Sequence, residues 1–375
     1  MRRARILLGF SALGVFWGAW GAALPAIQRR AAVDDGQLGL ALVLVGFGAL
    51  VSMRGTGVLI DRLGPRVTAL SVAAFGVAGF LPGLAGSPAQ LYVAALLLGA
   101  ASGAMDVAIN ADAVREEIRS GRPLLNLAHA SFSGAVVLGA VGAGILQAAG
   151  AGPPVALGVA AVAVLVTAAA VREPSRLQGE LETGVSPPRL LQRVPVWVLV
   201  LGGLGALAFW IESAWQNWSS VHLERTLDAS PAVSSLGPAA FAASMTVGRL
   251  VAQRLLERSS ERRLLVLGAL LAGVGSAVAV AAPTVGLALA GILAAGAGCS
   301  VFAPIIIGLV GKAAPVRERA TLIGSVTTLM YLGFLVGPAA VGGVAQLTSL
   351  QASLAAVAGL AFLLALLFSV VRLPR

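Results

Sequence analysis

The sequence predicts an all-α membrane protein with twelve transmembrane helices in two pseudo-symmetric six-helix bundles. Three observations lead to this prediction: the composition, the number of long apolar stretches, and a repeat between the two halves of the chain. Of the 375 residues, 58% are hydrophobic and 11% are charged, whereas soluble domains carry about 25% charged residues. A soluble fold cannot cover its surface with so few charges, so we expect the chain to lie in lipid.

Twelve apolar stretches are each long enough to cross a hydrocarbon core of roughly 30 Å as a helix of about 20 residues. Because lipid offers backbone groups no water, each stretch is expected to satisfy its own hydrogen bonds as a helix. The spans are predicted at residues 6–28, 38–60, 67–86, 90–114, 124–149, 154–171, 194–221, 232–254, 263–282, 285–311, 320–345 and 351–372.

The basic residues predict the orientation of these spans. With the N-terminus in the cytoplasm, all but three of the 26 Lys and Arg residues fall on or next to cytoplasmic segments. The exceptions are Arg29, Arg30 and Arg225. This bias predicts a protein of the inner (cytoplasmic) membrane with both termini in the cytoplasm. We therefore interpret the net charge of +10 as a consequence of topology and as favouring contact with anionic membrane lipid. No nucleic-acid partner is expected.

A charged, Pro-containing segment divides the spans six and six. We predict an N-terminal bundle at 1–171, a cytoplasmic linker at 172–193 and a C-terminal bundle at 194–375. The halves resemble each other: "LGVFWGAW" around Trp17 is similar to "LAFWIESAW" around Trp210. Two parallel six-helix repeats around a central cavity are one plan of secondary transporters. We expect a monomer.

The turn between the second and third spans, "GVLIDRLGPR", concentrates charge at the membrane edge. A simple charged stop between two spans is one interpretation. The run also resembles the signature loop of the major facilitator superfamily, Gly-x-Leu-x-Asp-Arg-x-Gly-Arg-Arg, with Pro65 in place of the first Arg of its tail. The resemblance implies the major facilitator fold. It also implies a cytoplasmic gate motif formed by Gly57, Asp61, Arg62, Gly64 and Arg66.

The fourth span carries a carboxylate where lipid would be expected. At 1.5 Å per residue, Asp106 lies roughly 24 Å beyond Gln90. An ionised group at that depth is costly, so it should face protein or a water-filled cavity, and Asn110 shares its helix face. It is either a buried Asp bonded to neighbouring helices or a group that takes up and releases protons. "DVAINADAV" resembles the fourth-span signature of the fucose-permease-like branch, which implies that Asp106 carries protons beside Asn110.

The seventh span supplies a second acid. Its run "IESAWQNWSSVHL" resembles a Glu-Gly-Ala-x-x-Asp-Trp-Ser run of uncharacterised bacterial inner-membrane carriers, with Asn217 in place of the Asp. Glu212 is therefore the second candidate for proton coupling. Deep aromatic and polar side chains either pack or line the cavity, and His129 is either a satisfied hydrogen-bonding residue or a proton relay. The predicted substrate cavity comprises Trp17, Trp20, Asn110, Asn126, His129, Trp210, Gln216 and Asn217.

Two arginines, Arg54 and Arg249, lie within a couple of turns of the predicted cytoplasmic face. We interpret them as snorkelling or salt-bridged residues rather than as substrate contacts. Cys299 stands alone within a span, so no metal cluster, redox pair or other cofactor is expected.

These features predict a secondary active transporter that moves a small-molecule substrate by alternating access. Proton-coupled symport of a sugar-like or other polar solute is the first hypothesis. The alternative is proton-driven efflux of a drug or secondary metabolite by antiport. It is favoured by a glycine-proline pattern in span eleven, similar to one that the superfamily's antiporters carry: Gly324, Gly333, Gly337 and Pro338.

A membrane-embedded enzyme or sensor is a remote alternative. The sequence has no HExxH, Gly-x-Ser-x-Gly or Walker motif, so an enzyme is not expected. A sensor would need a soluble signalling domain or a long loop, and the longest loop is the predicted linker.

Overall fold

The structure, a computed structural model, describes residues 2–64, 66–171, 194–315 and 318–374, with no description of the side chains of Asp61, Asn126 and Ala320. The predicted linker at 172–193 lies outside the described residues. Every regular element within the described ranges is a helix. The helices are α1 (Arg2–Ala31), α2 (Asp35–Leu63), α3 (Arg66–Leu84), α4 (Pro88–Ser120), α5 (Leu125–Ala148), α6 (Pro153–Val171), α7 (Val196–Leu227), α8 (Pro231–Ser234), α9 (Leu236–Leu256), α10 (Glu261–Ala281), α11 (Val285–Cys299), α12 (Phe302–Ala313), α13 (Arg319–Leu347) and α14 (Leu350–Val370).

The helices confirm the predicted all-α, multi-pass membrane architecture. Eleven helical stretches of the described chain are long and apolar enough to cross a membrane, with α11 and α12 counted as one. The predicted span at 232–254 corresponds to α9, which is not among these eleven stretches and which carries Arg249 and Arg254. The predicted span at 285–311 is interrupted at Ser300 and Val301.

Local capping explains where several helices begin and end. Asp34 caps α2: its Oδ1 accepts a hydrogen bond from the Gln37 backbone N–H at 2.8 Å, and Gln37 Oε1 accepts one from the Asp34 N–H at 3.1 Å. This reciprocal pair satisfies two backbone donors that the first turn leaves free. Helix α4 ends at Gly121, whose φ of 64° lies in the left-handed region that favours glycine.

The helices pack as two sets, α1–α6 and α7–α14, which we call the first set and the second set. In the first set α1 packs on α5 and α6, and α2 packs on α4. In the second set α7 packs on α13, and α10 packs on α11 and α14. The predicted bundle limits at 1–171 and 194–375 stay a prediction.

Small residues allow close contact between α7 and α13. A Cβ added at Gly337 would lie 3.0 Å from Trp210 Cδ1, and one at Gly333 would lie 2.9 Å from the Trp210 backbone nitrogen. Both distances are shorter than normal carbon contacts, so α13 reaches α7 only because these positions lack side chains. Two glycines of the antiporter-like pattern therefore have a direct packing role.

The two sets meet at one end of the helices, which we call the closed end. Three side-chain hydrogen bonds or ion pairs between described residues join the sets at this end. Ser220 donates a hydrogen bond to the Gly21 carbonyl at 2.6 Å. The other two are ion pairs, Arg29 with Glu224 and Asp35 with Arg225, which we call the closed-end ion pairs.

At the opposite end, which we call the open end, the facing surfaces are accessible. Gly57 and Gly324 have no atom within 4 Å of the position that a Cβ would occupy. The side chains of His129 and Arg249, from different sets, are exposed. The molecule is therefore closed at one end and accessible at the other.

Candidate functional site

The carboxylate of Asp106 is held by an amide of its own helix. Asn110 Nδ2 donates hydrogen bonds to Asp106 Oδ1 at 3.1 Å and to the Asp106 carbonyl at 2.9 Å. Among the described residues, no Lys or Arg forms an ion pair with Asp106. The side chain is partly accessible. A carboxylate in a span without a cationic partner is free to exchange a proton with water that reaches it.

Glu212 on α7 is arranged in the same way. It is 7% exposed, and Gln216 Nε2 donates a hydrogen bond to Glu212 Oε1 at 2.8 Å. Asn217 is turned away, because its amide donates to the Ser213 carbonyl of the same helix at 2.9 Å. Gln216, and not Asn217, is thus the amide that is hydrogen-bonded to Glu212.

Tyr331 on α13 is a further accessible aromatic side chain, and the sequence did not indicate it. It is 36% exposed. The phenol ring lies edge-on to Phe209, with ring centroids 5.7 Å apart, and tilted against Phe334 at 6.0 Å.

The predicted cavity tryptophans differ in accessibility. Trp17 is partly exposed, and its ring lies edge-on to Trp20 at 6.1 Å. Trp20 itself is only 2% exposed. Trp210 is partly exposed as a residue, but the indole nitrogens of Trp20 and Trp210 are buried without a hydrogen-bond partner among the described residues. Such unsatisfied donors are uncommon in proteins.

At the open end, His129 and Arg249 are two further accessible side chains from different sets. His129 on α5 is exposed, with its ring edge-on to Phe10 at a centroid distance of 5.1 Å. Arg249 on α9 is also exposed. The sequence had suggested a snorkelling or salt-bridged role for Arg249. The Asn126 side chain, predicted on the same helix face as His129, lies outside the described residues.

The gate motif is only partly described. Gly64 ends α2 with a φ of 63°, in the left-handed region, and its N–H donates to the Ile60 carbonyl at 2.9 Å. The side chains of Arg62 and Arg66 are exposed, and Gly57 faces open space. The Asp61 side chain and Pro65 lie outside the described residues. The gate contact of Asp61 therefore stays a prediction.

Comparisons with known proteins agree with this architecture. A family model described as Major Facilitator Superfamily matches residues 215–375. An uncharacterised MFS-type transporter of Yersinia pestis is 32% identical over 352 residues, which cover 94% of this chain and 91% of that protein. The chain belongs to the major facilitator superfamily. It is a membrane transporter of solutes and not an enzyme.

Solved structures show the same fold. The nucleoside transporter NupG superposes with a TM-score of 0.76 at 15% sequence identity, covering 98% of each chain. A D-xylose-proton symporter superposes with a TM-score of 0.70 at 15% identity, covering 98% of this chain and 97% of that one. The predicted major facilitator fold is therefore confirmed. The resemblance to the fucose-permease-like branch stays a resemblance, because these comparisons do not specify a branch.

Proposed function

We propose that the protein takes up a small polar solute together with protons, by alternating access across the cytoplasmic membrane. Asp106 and Glu212 are the proton-coupling residues in this proposal. The observation that supports it is the presence of two carboxylates, one from each set, each held by an amide one turn along its own helix. Because the acids belong to different sets, a change in how the sets meet changes their surroundings.

Proton coupling follows from the cost of charge in a low-dielectric span. An ionised carboxylate inside a membrane is unfavourable unless it faces water or a partner. Among the described residues, Asp106 has an amide partner only. Carrying it across the membrane therefore costs the least free energy when it is protonated and the cavity is occluded. Opening to water on either side permits release of the proton. Transport and proton movement are then linked by the same conformational change.

The basic residues support the orientation. If the termini lie in the cytoplasm, the exposed Arg62 and Arg66 and the open end are cytoplasmic, as the positive-inside bias requires. The structure then corresponds to an inward-facing state, and the closed end faces outward. Uptake also requires an outward-facing state, in which the closed-end ion pairs must be separated.

Aromatic and amide side chains support a polar, ring-bearing solute. Trp17 and Trp210 offer stacking surfaces, and Gln216 and Asn110 offer hydrogen bonds beside the acids. The structurally similar NupG is a nucleoside transporter, and another structurally similar protein is a D-xylose-proton symporter. Efflux gains no support from the glycine pattern of α13, because packing on α7 already explains Gly333 and Gly337.

A transport assay in reconstituted vesicles tests the proposal. Labelled nucleosides, monosaccharides and their acid derivatives are offered with an imposed pH gradient, with its reversal, and with a protonophore. We expect one solute class to accumulate towards the alkaline side and to lose accumulation with the protonophore. Equilibration that ignores the pH gradient argues against proton coupling. Solute movement opposite to the protons argues for antiport.

A further inference from the structure

We propose that Gly342 and the Asp35–Arg225 ion pair keep the closed end shut as one contact, which forms and breaks as a unit. The inference rests on the alternating access of the proposed function, but not on the identity of the solute or on proton coupling. It concerns the end of the molecule opposite the gate motif.

The first step is that Asp35, in the first turn of α2, contacts two helices of the second set. Its side chain pairs with Arg225 of α7 and also accepts a hydrogen bond from Gln28 Nε2 at 2.7 Å. Its backbone carbonyl oxygen lies against α13, where the position of a Cβ at Gly342 would overlap it. Asp35 is only 6% exposed. Its side chain and its backbone are therefore both part of the junction between the sets.

The second step is that α2 and α13 meet backbone to backbone. A Cβ at Gly342 would lie 3.0 Å from Gly39 Cα and 3.2 Å from the Asp35 carbonyl carbon. A Cβ at Gly39 would lie 2.9 Å from the Pro338 carbonyl oxygen and 3.2 Å from Ala339 Cα. Carbon atoms that are not bonded prefer about 3.5–4.0 Å. Backbone atoms cannot rotate aside as a side chain can, so an added methyl group must push the two helices apart.

The third step is that the ion pair depends on this close approach. Asp35 and Gly39 are one turn apart on α2 and share a helix face. On the other side, α7 and α13 pack closely on each other through Gly333 and Gly337. A shift of α2 away from α13 is therefore also a shift away from α7. A methyl group at Gly342 should displace Asp35 and break its ion pair as well.

The contact of Gly342 differs in kind from those of the other α13 glycines. Gly333 and Gly337 pack on α7 within the second set, so their contacts persist when the two sets move relative to each other. The contact of Gly342 joins the second set to the first, so it must break when the closed end opens. A substitution there acts on the equilibrium between the transport states, because it destabilises one state and not the other.

A disulfide across the closed end gives the measurement. A Cβ at Gly36 would lie 3.6 Å from Gln346 Cβ, within the range of about 3.5–4.5 Å that disulfides require. The paired substitutions Gly36→Cys and Gln346→Cys should form this disulfide only while the closed end is shut. The rate of cross-linking under a mild oxidant then reports the fraction of molecules in that state. Gln346 is exposed to the oxidant, and Cys299 is buried.

Gly342→Ala should slow this cross-linking by roughly ten- to a hundred-fold, the shift that an overpacked contact produces. Gly343→Ala is the matched control, because it adds the same methyl group to the next residue, where no atom lies within 4 Å of the Cβ position. It should cross-link at the rate of the unsubstituted pair. If Gly342→Ala does not fold, Gly39→Ala tests the same contact from the α2 side.

Arg225→Gln tests whether the glycine and the ion pair act as a unit. Alone, it should slow cross-linking by up to about five-fold, as loss of a partly exposed ion pair does. In the Gly342→Ala background it should slow cross-linking no further, because the ion pair is already broken there.

Two outcomes overturn the inference: equal cross-linking rates in Gly342→Ala and Gly343→Ala, or equal slowing by Arg225→Gln in both backgrounds. The proposed function is judged separately, by transport. Oxidation of the cysteine pair should stop solute uptake, and reduction should restore it. Uptake by the cross-linked protein would overturn alternating access through this end and would leave the measured contact in place.

Discussion

Gln216 donates a hydrogen bond from Nε2 to Glu212 Oε1 at 2.8 Å, one helical turn along the same helix. The same spacing recurs in the first set, where Asn110 donates to Asp106 at 3.1 Å. An amide can donate to a carboxylate through its NH₂ group or accept from a carboxylic acid through its oxygen. Each acid thus keeps a partner in either protonation state, which suits a group that gains and loses a proton during each cycle.

Glu212→Gln tests the acid of the second set. The substitution keeps the side-chain volume and removes the ionisable group, so the chain should still insert while coupling is lost. We expect solute accumulation under a pH gradient to fall by at least ten-fold and its pH dependence to flatten. Glu257→Gln, at an exposed position after α9, is the matched control. Accumulation and pH profile equal to those of the wild type would exclude a coupling role for Glu212.

Asp106→Asn tests the acid of the first set. A permanently neutral side chain should still permit the conformational change, so exchange of labelled for unlabelled solute should continue. Accumulation against a solute gradient should disappear, because no proton is carried by this residue. Asp112→Asn is the control on the same helix, since Asp112 is already paired with Arg115. The idea fails if the Asp106 variant still concentrates solute.

Tyr331→Phe tests the accessible phenol of α13. The change removes the hydroxyl and keeps the ring contacts with Phe209 and Phe334. If the hydroxyl binds the solute, KM should rise about five- to ten-fold, the loss of roughly 1–1.5 kcal/mol that a neutral hydrogen bond contributes, with little change in protein yield. Tyr92→Phe is the matched control at the other tyrosine of the chain. Equal KM values in the two variants would remove Tyr331 from the binding site.

The sequence predicted what depends on local patterning. Span length and apolar content located the helices, and the i to i+4 spacing of Asp106 and Asn110 anticipated their hydrogen bond. The apolar pattern of the predicted span at 232–254, which corresponds to α9, was less regular, because its arginines interrupt the apolar run. These features depend on residues close together in the chain, which is why they could be found without coordinates.

Contacts between distant residues could not be predicted in this way. Asp35 and Arg225 are 190 positions apart, and Arg29 and Glu224 are 195 apart. Arg29 and Arg225 are two of the three exceptions to the predicted charge distribution, and each has a carboxylate partner from the other set. Tyr331 was missed because no local pattern marks it. For the closed-end ion pairs, the available signal was an unexplained basic residue on the side predicted to be non-cytoplasmic.

Arg225→Gln tests the closed-end ion pairs. Asp35, at 6% exposure, would keep only the hydrogen bond from Gln28 Nε2 at 2.7 Å. Partly exposed ion pairs contribute up to about 1 kcal/mol, so the state with this end open should gain up to roughly five-fold in population. Spin labels at the exposed Arg30 and Ser230 positions report the distance across the closed end.

Charge exchange is the control for this effect. Asp35→Arg combined with Arg225→Asp should restore the wild-type distance distribution, because the attraction is re-formed with the charges reversed. Cys299 is buried and should not compete for the label. A distribution that is the same in Arg225→Gln and in the wild type would mean that the pair contributes nothing to closure.

Asp61→Asn should shift the equilibrium between the two transport states towards the state in which the open end is open. We expect Asp61 to bind the start of α13 only when the open end closes, since the carboxylate can accept bonds from helix N-terminal amides and pair with basic residues nearby. A charged hydrogen bond of this kind contributes about 1.5–3 kcal/mol, so its loss should favour the open-end state by ten-fold or more and slow turnover. Spin labels at the exposed Arg122 and Glu257 positions measure the distance across the open end.

Arg225→Gln opposes this shift from the closed end, so the distance distribution of the double variant should lie between those of the two single variants. An unchanged distribution in Asp61→Asn would show that Asp61 is a solvated loop charge.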